Sequence, residues 1–381
     1  MKRRKIYIVL MALITVSFLS SQKPLNQHIA PIQTEPIKID QSVKYNPGHY
    51  WMIYKKQRAN PQYLRSVCRE LDTTPALKGI QVKFTWRELE NDQGNYNWSG
   101  IDSLLTLMTD HKSQLVILLE LKSFHTTNSK YLVPDYLLTN SSYEGGIQPY
   151  TAYGSKDQKG DVIKIWNQNV FDRFDALLKQ LGDRYNSNPN FEGIGFSEST
   201  FQCYPAGSKC VDEKVFFERL MDLNRALKSH FPNSLTYQFV NYPRKYLELQ
   251  ASQLTSMGSG WAGPDVFPTD AGLNGRGKAY WWYGQLSGKI PLLPSVQTED
   301  YLWTTHNKKA DPGHKPTITE LFEFARDSLK ANYIFWERVF VGGESYFKPV
   351  LEKLSEPEQK NSPAGGLNAA CPSAYKNCNT K

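Results

Sequence analysis

Phe191-Glu192-Gly193-Ile194-Gly195-Phe196-Ser197-Glu198-Ser199-Thr200 is a short apolar run that ends in a carboxylate. A run of this length, apolar at consecutive positions, is the pattern of a strand buried on both faces. Seven similar runs recur along the chain. The eight expected strands are Tyr50 to Tyr54, Gly79 to Trp86, Gln114 to Leu121, Phe191 to Ser197, Leu235 to Val240, Ser256 to Ser259, Leu292 to Thr298 and Tyr333 to Trp336.

Amphipathic stretches with helical spacing lie between them: Pro61 to Leu71, Ser99 to Asp110, Val170 to Tyr185, Glu213 to Phe231, Arg244 to Leu254, Ile318 to Leu329 and Tyr346 to Leu354. Asn60-Pro61 and Thr317-Ile318-Thr319-Glu320 carry helix-start chemistry. The sixth unit is the least regular, because Lys278 to Leu286 is aromatic and glycine-flanked. Eight alternations in about 300 residues predict an α/β fold, a (β/α)8 TIM barrel, rather than an open Rossmann-type sheet, since closure pairs every strand edge. The Tyr-, Gly-, Ser- and Asn-rich stretch from Ser123 to Trp166 predicts a long insertion after strand 3, on the face where barrel active sites lie.

Outside the barrel the composition changes. Residues 1–21 combine Lys2-Arg3-Arg4-Lys5, an apolar run from Ile6 to Leu19, and the small residues Ser20 and Ser21, the layout of a secretory signal peptide. A buried N-terminal helix or an uncleaved anchor are the alternatives. Residues 22–46 are polar and proline-dotted, expected as a linker or arm. Residues 47–355 form the barrel domain, and residues 356–381 an irregular tail. The expected location is secreted or periplasmic, with no membrane span in the mature protein.

The formal net charge of the 381 residues is +8, and half of it sits in residues 2–5. The remaining basic residues are scattered, which argues against nucleic acid as a partner. Five cysteines suit an oxidising compartment: Cys203 with Cys210 and Cys371 with Cys378 are the preferred local pairs, with Cys68 left over, although spacing alone leaves other pairings open. There is no Cys-x-x-Cys, and the seven histidines lack metal-ligand spacing, so no metal is expected. No cofactor is expected either. Gly258-Ser259-Gly260-Trp261-Ala262-Gly263 has the letters of a dinucleotide fingerprint, but Pro264 and Pro268 stand where the phosphate-binding helix should begin.

Barrel chemistry resides at the C-terminal ends of strands. Glu198 ends the fourth expected strand, and Leu292-Leu293-Pro294-Ser295-Val296-Gln297-Thr298-Glu299-Asp300-Tyr301 carries Glu299 at the end of the seventh. Two carboxylates facing each other across a barrel mouth suit cleavage of a glycosidic bond, one protonating the leaving oxygen and one attacking the anomeric carbon or activating water. Asp300 and Glu337 compete for the second role. On an extended strand Asp300 points opposite to Glu299, while Gln297 shares its side. The bland reading of any such glutamate is an N-cap or a surface ion pair. Aromatic residues are 13% of the chain, and rings at strand ends offer flat faces for sugars, with core packing as the alternative for each. Lys122 and Asn241 end strands three and five as candidate substrate contacts.

Phe84-Thr85-Trp86-Arg87-Glu88-Leu89-Glu90-Asn91-Asp92-Gln93-Gly94-Asn95-Tyr96-Asn97-Trp98 resembles a run in the clan A glycoside hydrolases, the retaining (β/α)8-barrel glycosidases. The resemblance extends over about Pro47 to Leu354 as a pattern of strands and short motifs. It implies Glu198 as acid/base, Glu299 as nucleophile and Trp336 as the floor of the sugar site. It also departs from that pattern: Ser197 stands where an asparagine commonly precedes the acid/base, and no histidine or tyrosine ends strand six, where Gly260, Trp261 and Asp265 lie. The expected sugar contacts are Trp86, Lys122, Ser197, Asn241, Trp261, Gln297, Tyr301 and Trp336. The partner is therefore a glycan substrate, and the alternative function is a non-catalytic glycan-binding barrel of the cell envelope.

Overall fold

The computed structural model describes residues 42–151, 157–203, 210–306 and 313–380, so the expected leader and most of the arm lie outside the described residues. Eight parallel strands close into a barrel in chain order: β1 (Gly48–Ile53), β2 (Leu77–Phe84), β3 (Gln114–Leu119), β4 (Phe191–Phe196), β5 (Leu235–Phe239), β6 (Gly260–Gly263), β7 (Leu292–Val296) and β8 (Tyr333–Glu337). Closure is completed by pairing of β8 with β1 and of β4 with β5.

The main helices that follow the strands are α1 (Pro61–Thr73), α2 (Ser99–Asp110), α3 (Gln168–Tyr185), α4 (Glu213–His230), α5 (Leu247–Met257), α6 (Ala279–Leu286), α7 (Ile318–Glu323) and α8 (Phe347–Leu354). The expected starts hold for local reasons. Asn60 accepts from the N–H groups of Gln62 and Tyr63 ahead of Pro61, and Thr317 and Glu320 form a reciprocal capping box. Helix α7 passes into a π-turn at Phe324–Ser328.

The sixth strand is displaced from its expected place. Residues 256 and 257 finish α5, Gly258 closes that helix in the left-handed conformation at φ 64°, and the strand begins only at Gly260. Ser256 to Ser259 looked like a strand because a helix's last apolar turn and a short strand share one local pattern. Gly258 is the signal that separates them.

Two apolar layers fill the molecule. One is the ring between strands and helices; the other is the barrel interior, built around Tyr50, Met52, Val116, Leu118, Tyr237 and Phe335. Tyr237 spans the interior, donating to the Ile117 carbonyl at 3.0 Å and accepting from Gln81 Nε2 at 2.9 Å. Its neighbour across the sheet is Gly195, where a Cβ would come within 2.5 Å of the Tyr237 ring, so β4 yields its side-chain space to β5.

The N-terminal floor is sealed by the first and last described segments. Ser42–Lys44 pairs in parallel with Asn377–Asn379, and Tyr45 and Tyr375 join the interior cluster. Glu192, buried beneath them, accepts from Asn46 N, Asn46 Nδ2 and the Tyr333 hydroxyl, each at 2.7 Å. The tail is stapled by the Cys371–Cys378 disulfide, and Cys68 is a buried free thiol. The side chain of Cys203 lies outside the described residues.

Candidate functional site

With the floor plugged, the open end of the barrel is the C-terminal mouth. It holds a cavity of about 720 Å³. Acidic side chains reach it from β4, β6, β7 and β8: Glu198, Asp265, Glu299 and Glu337. A second cavity of about 690 Å³ lies over the ends of β1 to β3 and shares Tyr54, Phe124, His125, Glu198 and Gln297 with the first. Glu198 thus stands where the two limbs meet.

Glu198 follows β4 by two residues, and Asn241 follows β5 by two. Asn241 Nδ2 donates to Glu198 Oε2 at 2.9 Å. The amide is oriented from its other end, because Asn241 Oδ1 accepts the Tyr242 N–H at 2.8 Å and so leaves the NH2 group to face the carboxylate. Ser197 lies behind this pair: its hydroxyl accepts the Leu121 N–H at 3.0 Å and its carbonyl accepts from Gln238 Nε2 at 2.6 Å. It ties β3, β4 and β5 together and does not line the cavity.

Strand β7 stops at Val296, so residues 297–300 turn instead of alternating. Gln297 and Glu299 both reach the cavity, whereas Asp300 is folded behind it and accepts the N–H groups of Gln297 at 2.6 Å and Val266 at 3.0 Å. Asp300 is therefore removed as a second carboxylate facing the cleft. Among the described residues no hydrogen bond reaches the Glu299 carboxylate. Glu337, in contrast, is held firmly: its Oε2 accepts the Thr298 N–H at 2.6 Å and the Thr298 hydroxyl at 2.8 Å.

Asp265 follows β6 by two residues, in the same relation to its strand as Glu198 and Asn241. Its side chain is 19% exposed, toward the cleft. Burial, helped by the charges of Glu198 and Glu299, pushes its carboxyl up to about 7 against the pull of His306. His306 Nε2 lies 3.5 Å from Asp265, and its Nδ1 lies 3.3 Å from Asp270. Although burial opposes it, the two aspartates raise the imidazole above its ordinary value. Asp270 is fixed in turn by the N–H groups of Gly272 and Leu273 at 2.7 and 3.0 Å. Sequence reasoning placed Asp265 only as a neighbour of strand six and gave His306 no role. With the strand drawn at Gly260–Gly263, the two-residue offset would have marked Asp265. Tyr54 and Glu120, each one residue past its strand, carried the same signal.

Lys122 is fully buried; its ammonium donates to the Thr200 carbonyl and lies 5.0 Å from the Tyr150 ring centre. Burial brings it down to about 7, opposed by Glu198. It lines the second limb.

Four expected sugar contacts face away from both cavities. Trp336 lies in the strand–helix layer and donates to His49 Nδ1 at 3.0 Å, so it does not floor the cleft. Trp261 is fully buried beside Trp282 and Tyr283. Tyr301 stacks on Tyr346 at 4.9 Å and donates to the Glu337 carbonyl. Trp86 stacks on Phe174 at 4.6 Å and donates to Glu90 Oε2 at 2.6 Å. Parallel barrel strands are apolar on both faces, so an aromatic residue in one carries no sign of which layer it enters. Among the described residues no group of three or more His, Cys, Asp or Glu side chains is disposed to hold a metal ion, and no helix is long and apolar enough to cross a membrane.

No protein-family model and no curated protein sequence matches the chain. Solved structures do match. The catalytic domain of β-amylase from Paenibacillus polymyxa aligns with a TM-score of 0.54 at 10% identity, over 82% of this chain and 98% of that one. β-Galactosidase from the psychrophilic Marinomonas ef1 gives 0.51 at 8% identity, over 84% of this chain and 61% of that one. The β-galactosidase of the haloarchaeon Halorubrum lacusprofundi gives 0.51 at 11%, over 78% and 54% respectively. The chain spans less than two thirds of either galactosidase. It shares the barrel fold of these glycosidases, and at such identities the likeness is one of fold.

Proposed function

We propose that the protein is a glycoside hydrolase that cleaves a polysaccharide or oligosaccharide with retention, using Glu198 as acid/base and Glu299 as nucleophile. The observation that carries this reading is Glu198 itself, oriented by Asn241 at the meeting point of two limbs of a barrel-mouth cavity and facing other carboxylates. In the first step the Glu198 proton passes to the glycosidic oxygen as that bond breaks, and a Glu299 oxygen bonds to the anomeric carbon. In the second, Glu198 takes a proton from water, whose oxygen displaces Glu299.

The firmer hold on Glu337 favours one second reading, in which Glu337 is the nucleophile. A 2-deoxy-2-fluoro glycoside that traps the glycosyl-enzyme separates the two, since the labelled peptide contains either Glu299 or Glu337. Inverted product with no trapped enzyme would sink the retaining mechanism. Glu198→Gln is expected to lose at least about a thousandfold in kcat with its fold intact; unchanged turnover removes Glu198 as the acid/base.

We take the stretch from Ser123 to Trp166 as the insertion after the third strand. It supplies Phe124, His125, Tyr150 and Lys159 to the cleft wall, where loop variation sets specificity. Export through residues 1–21 belongs to the same reading and agrees with the Cys371–Cys378 disulfide. N-terminal sequencing of the mature protein should begin near residue 22; an intact Met1 on a cytoplasmic product counts against it.

A further inference from the structure

The two limbs of the cleft differ in charge. Over β6 to β8 the lining is mainly acidic, with Asp265, Glu299 and Glu337 against His306, and Lys159 at the rim. Over β1 to β3 the second limb gathers Lys55, Lys56, Lys83 and Lys122 from the ends of three successive strands. Its acids are largely engaged already. Glu88 accepts the Thr85 N–H and pairs with Arg58 at 2.6 Å and Lys55 at 3.0 Å. Burial raises Glu120, while Lys83, Lys55 and Arg58 oppose that shift.

Lys56 and Lys83 form no ion pair among the described residues. Lys83 instead sits 4.7 Å from the centre of the Tyr54 ring, which holds its ammonium beside the shared wall of the two limbs. A neutral glycan gives these ammonium groups only hydroxyls, whereas an anionic substituent gives them charge-assisted bonds in a partly enclosed space.

We propose that the limb over β1 to β3 is a subsite for a sugar bearing a carboxylate or a sulfate ester, which makes the substrate class an anionic glycan. The inference rests on the glycoside hydrolase reading for its link to bond cleavage. Binding to the limb is separable from it. The anionic group of one sugar unit lies toward Lys56 and Lys83, and the linkage to the next unit lies at Glu198, where the limbs join.

The test is calorimetric titration of the full-length Glu198→Gln protein, which needs no turnover. The probes are tetragalacturonate, a sulfated galactan tetrasaccharide and neutral cellotetraose, at low and at physiological salt. One anionic probe should bind at least about tenfold more tightly than cellotetraose and weaken with salt, and the anion that binds distinguishes uronate from sulfate. Adding Lys56→Ala and Lys83→Ala should weaken the anionic probe about tenfold with little change in melting temperature. Equal or tighter binding of cellotetraose, anionic binding indifferent to the two lysines, or no anionic binding up to millimolar concentration would each overturn the proposal. Anionic binding by a protein whose wild type hydrolyses none of these glycans would uphold the subsite and reject the hydrolase reading instead.

Discussion

Asp265 is the residue whose ionisation its surroundings alter most usefully. Its folded value of about 7 lies above the unfolded 3.8, so the folded form holds a proton that the unfolded form releases. Its contribution to stability therefore declines as pH rises from about 4 to about 7. Asp265→Asn removes that titration, together with the part of the buried Asp300 carboxyl's upward shift that the Asp265 charge causes, while leaving the shape of the side chain. The melting temperature of the variant minus that of the wild type should increase between about pH 4.5 and about pH 7.5. The difference isolates Asp265 from His49, whose buried imidazole is pushed down to about 4 and titrates in the opposite sense over the same range. A difference that stays constant with pH would exclude a raised Asp265 carboxyl. Chemically, a raised carboxyl beside Glu198 and Glu299 ionises late, which lessens like-charge repulsion in the cleft below neutrality.

At the scale of elements, the run from Phe84 to Trp98, the most specific motif in the sequence, turns out to be a structural clasp. Glu90, wholly buried, accepts from Trp86 Nε1 and the Gly94 N–H, each at 2.6 Å, and pairs with Arg173 on α3. Tyr96 and Trp98 stack at 5.1 Å alongside. The clasp fastens the β2 loop to α3, and a fastening of this kind is recognisable in sequence because most of its parts are local, Arg173, Phe174 and Tyr136 being the exceptions. Glu90→Ala leaves Arg173 and the Trp86 N–H without their acceptor and should cost about 3 kcal/mol, toward the low end for a buried pair because Arg173 keeps some solvent contact. Urea unfolding measures it; a loss below about 1 kcal/mol would reduce the clasp to ordinary packing. The sixth strand shows the opposite situation. Four residues of glycine, tryptophan and alanine have little pattern of their own, and their place is fixed by pairing with β5 and β7 on either side.

For the molecule as a whole, the floor is as decisive as the mouth. The tail brings Tyr375 under the barrel and pairs Asn377–Asn379 with the strand at Ser42–Lys44, so segments more than 300 residues apart in sequence close one surface. The Cys371–Cys378 bridge closes a short loop, with a sequence separation of 7. Loop-closure entropy puts its contribution at about 2.5 kcal/mol. The Cys371→Ala, Cys378→Ala double variant should lose about that much in denaturant unfolding while any turnover per folded molecule stays level, because the bridge lies at the end of the barrel opposite the cleft. An equal fall in activity would mean that the floor and the mouth are coupled.

By itself the sequence determined the eight-strand count and order of the barrel and the approximate bounds of seven of its strands and of seven helices, because apolar period and capping chemistry are local; the sixth strand was not among them. The sequence also singled out Glu198, Asn241, Gln297, Glu299 and Lys122, which the structure brings to the cavity walls, since a polar residue just past a strand end is visible in one dimension. Only the tertiary structure decided that Trp86, Trp261, Tyr301 and Trp336 belong to the packing layers, that Asp300 turns behind the cleft, and that Asp265, His306, Glu337 and Tyr54 join it. Both faces of a parallel barrel strand are buried, so alternation cannot assign an aromatic ring to the inside or the outside. The cleft itself is assembled from strand ends and loops that lie far apart in the chain and meet only when the barrel closes.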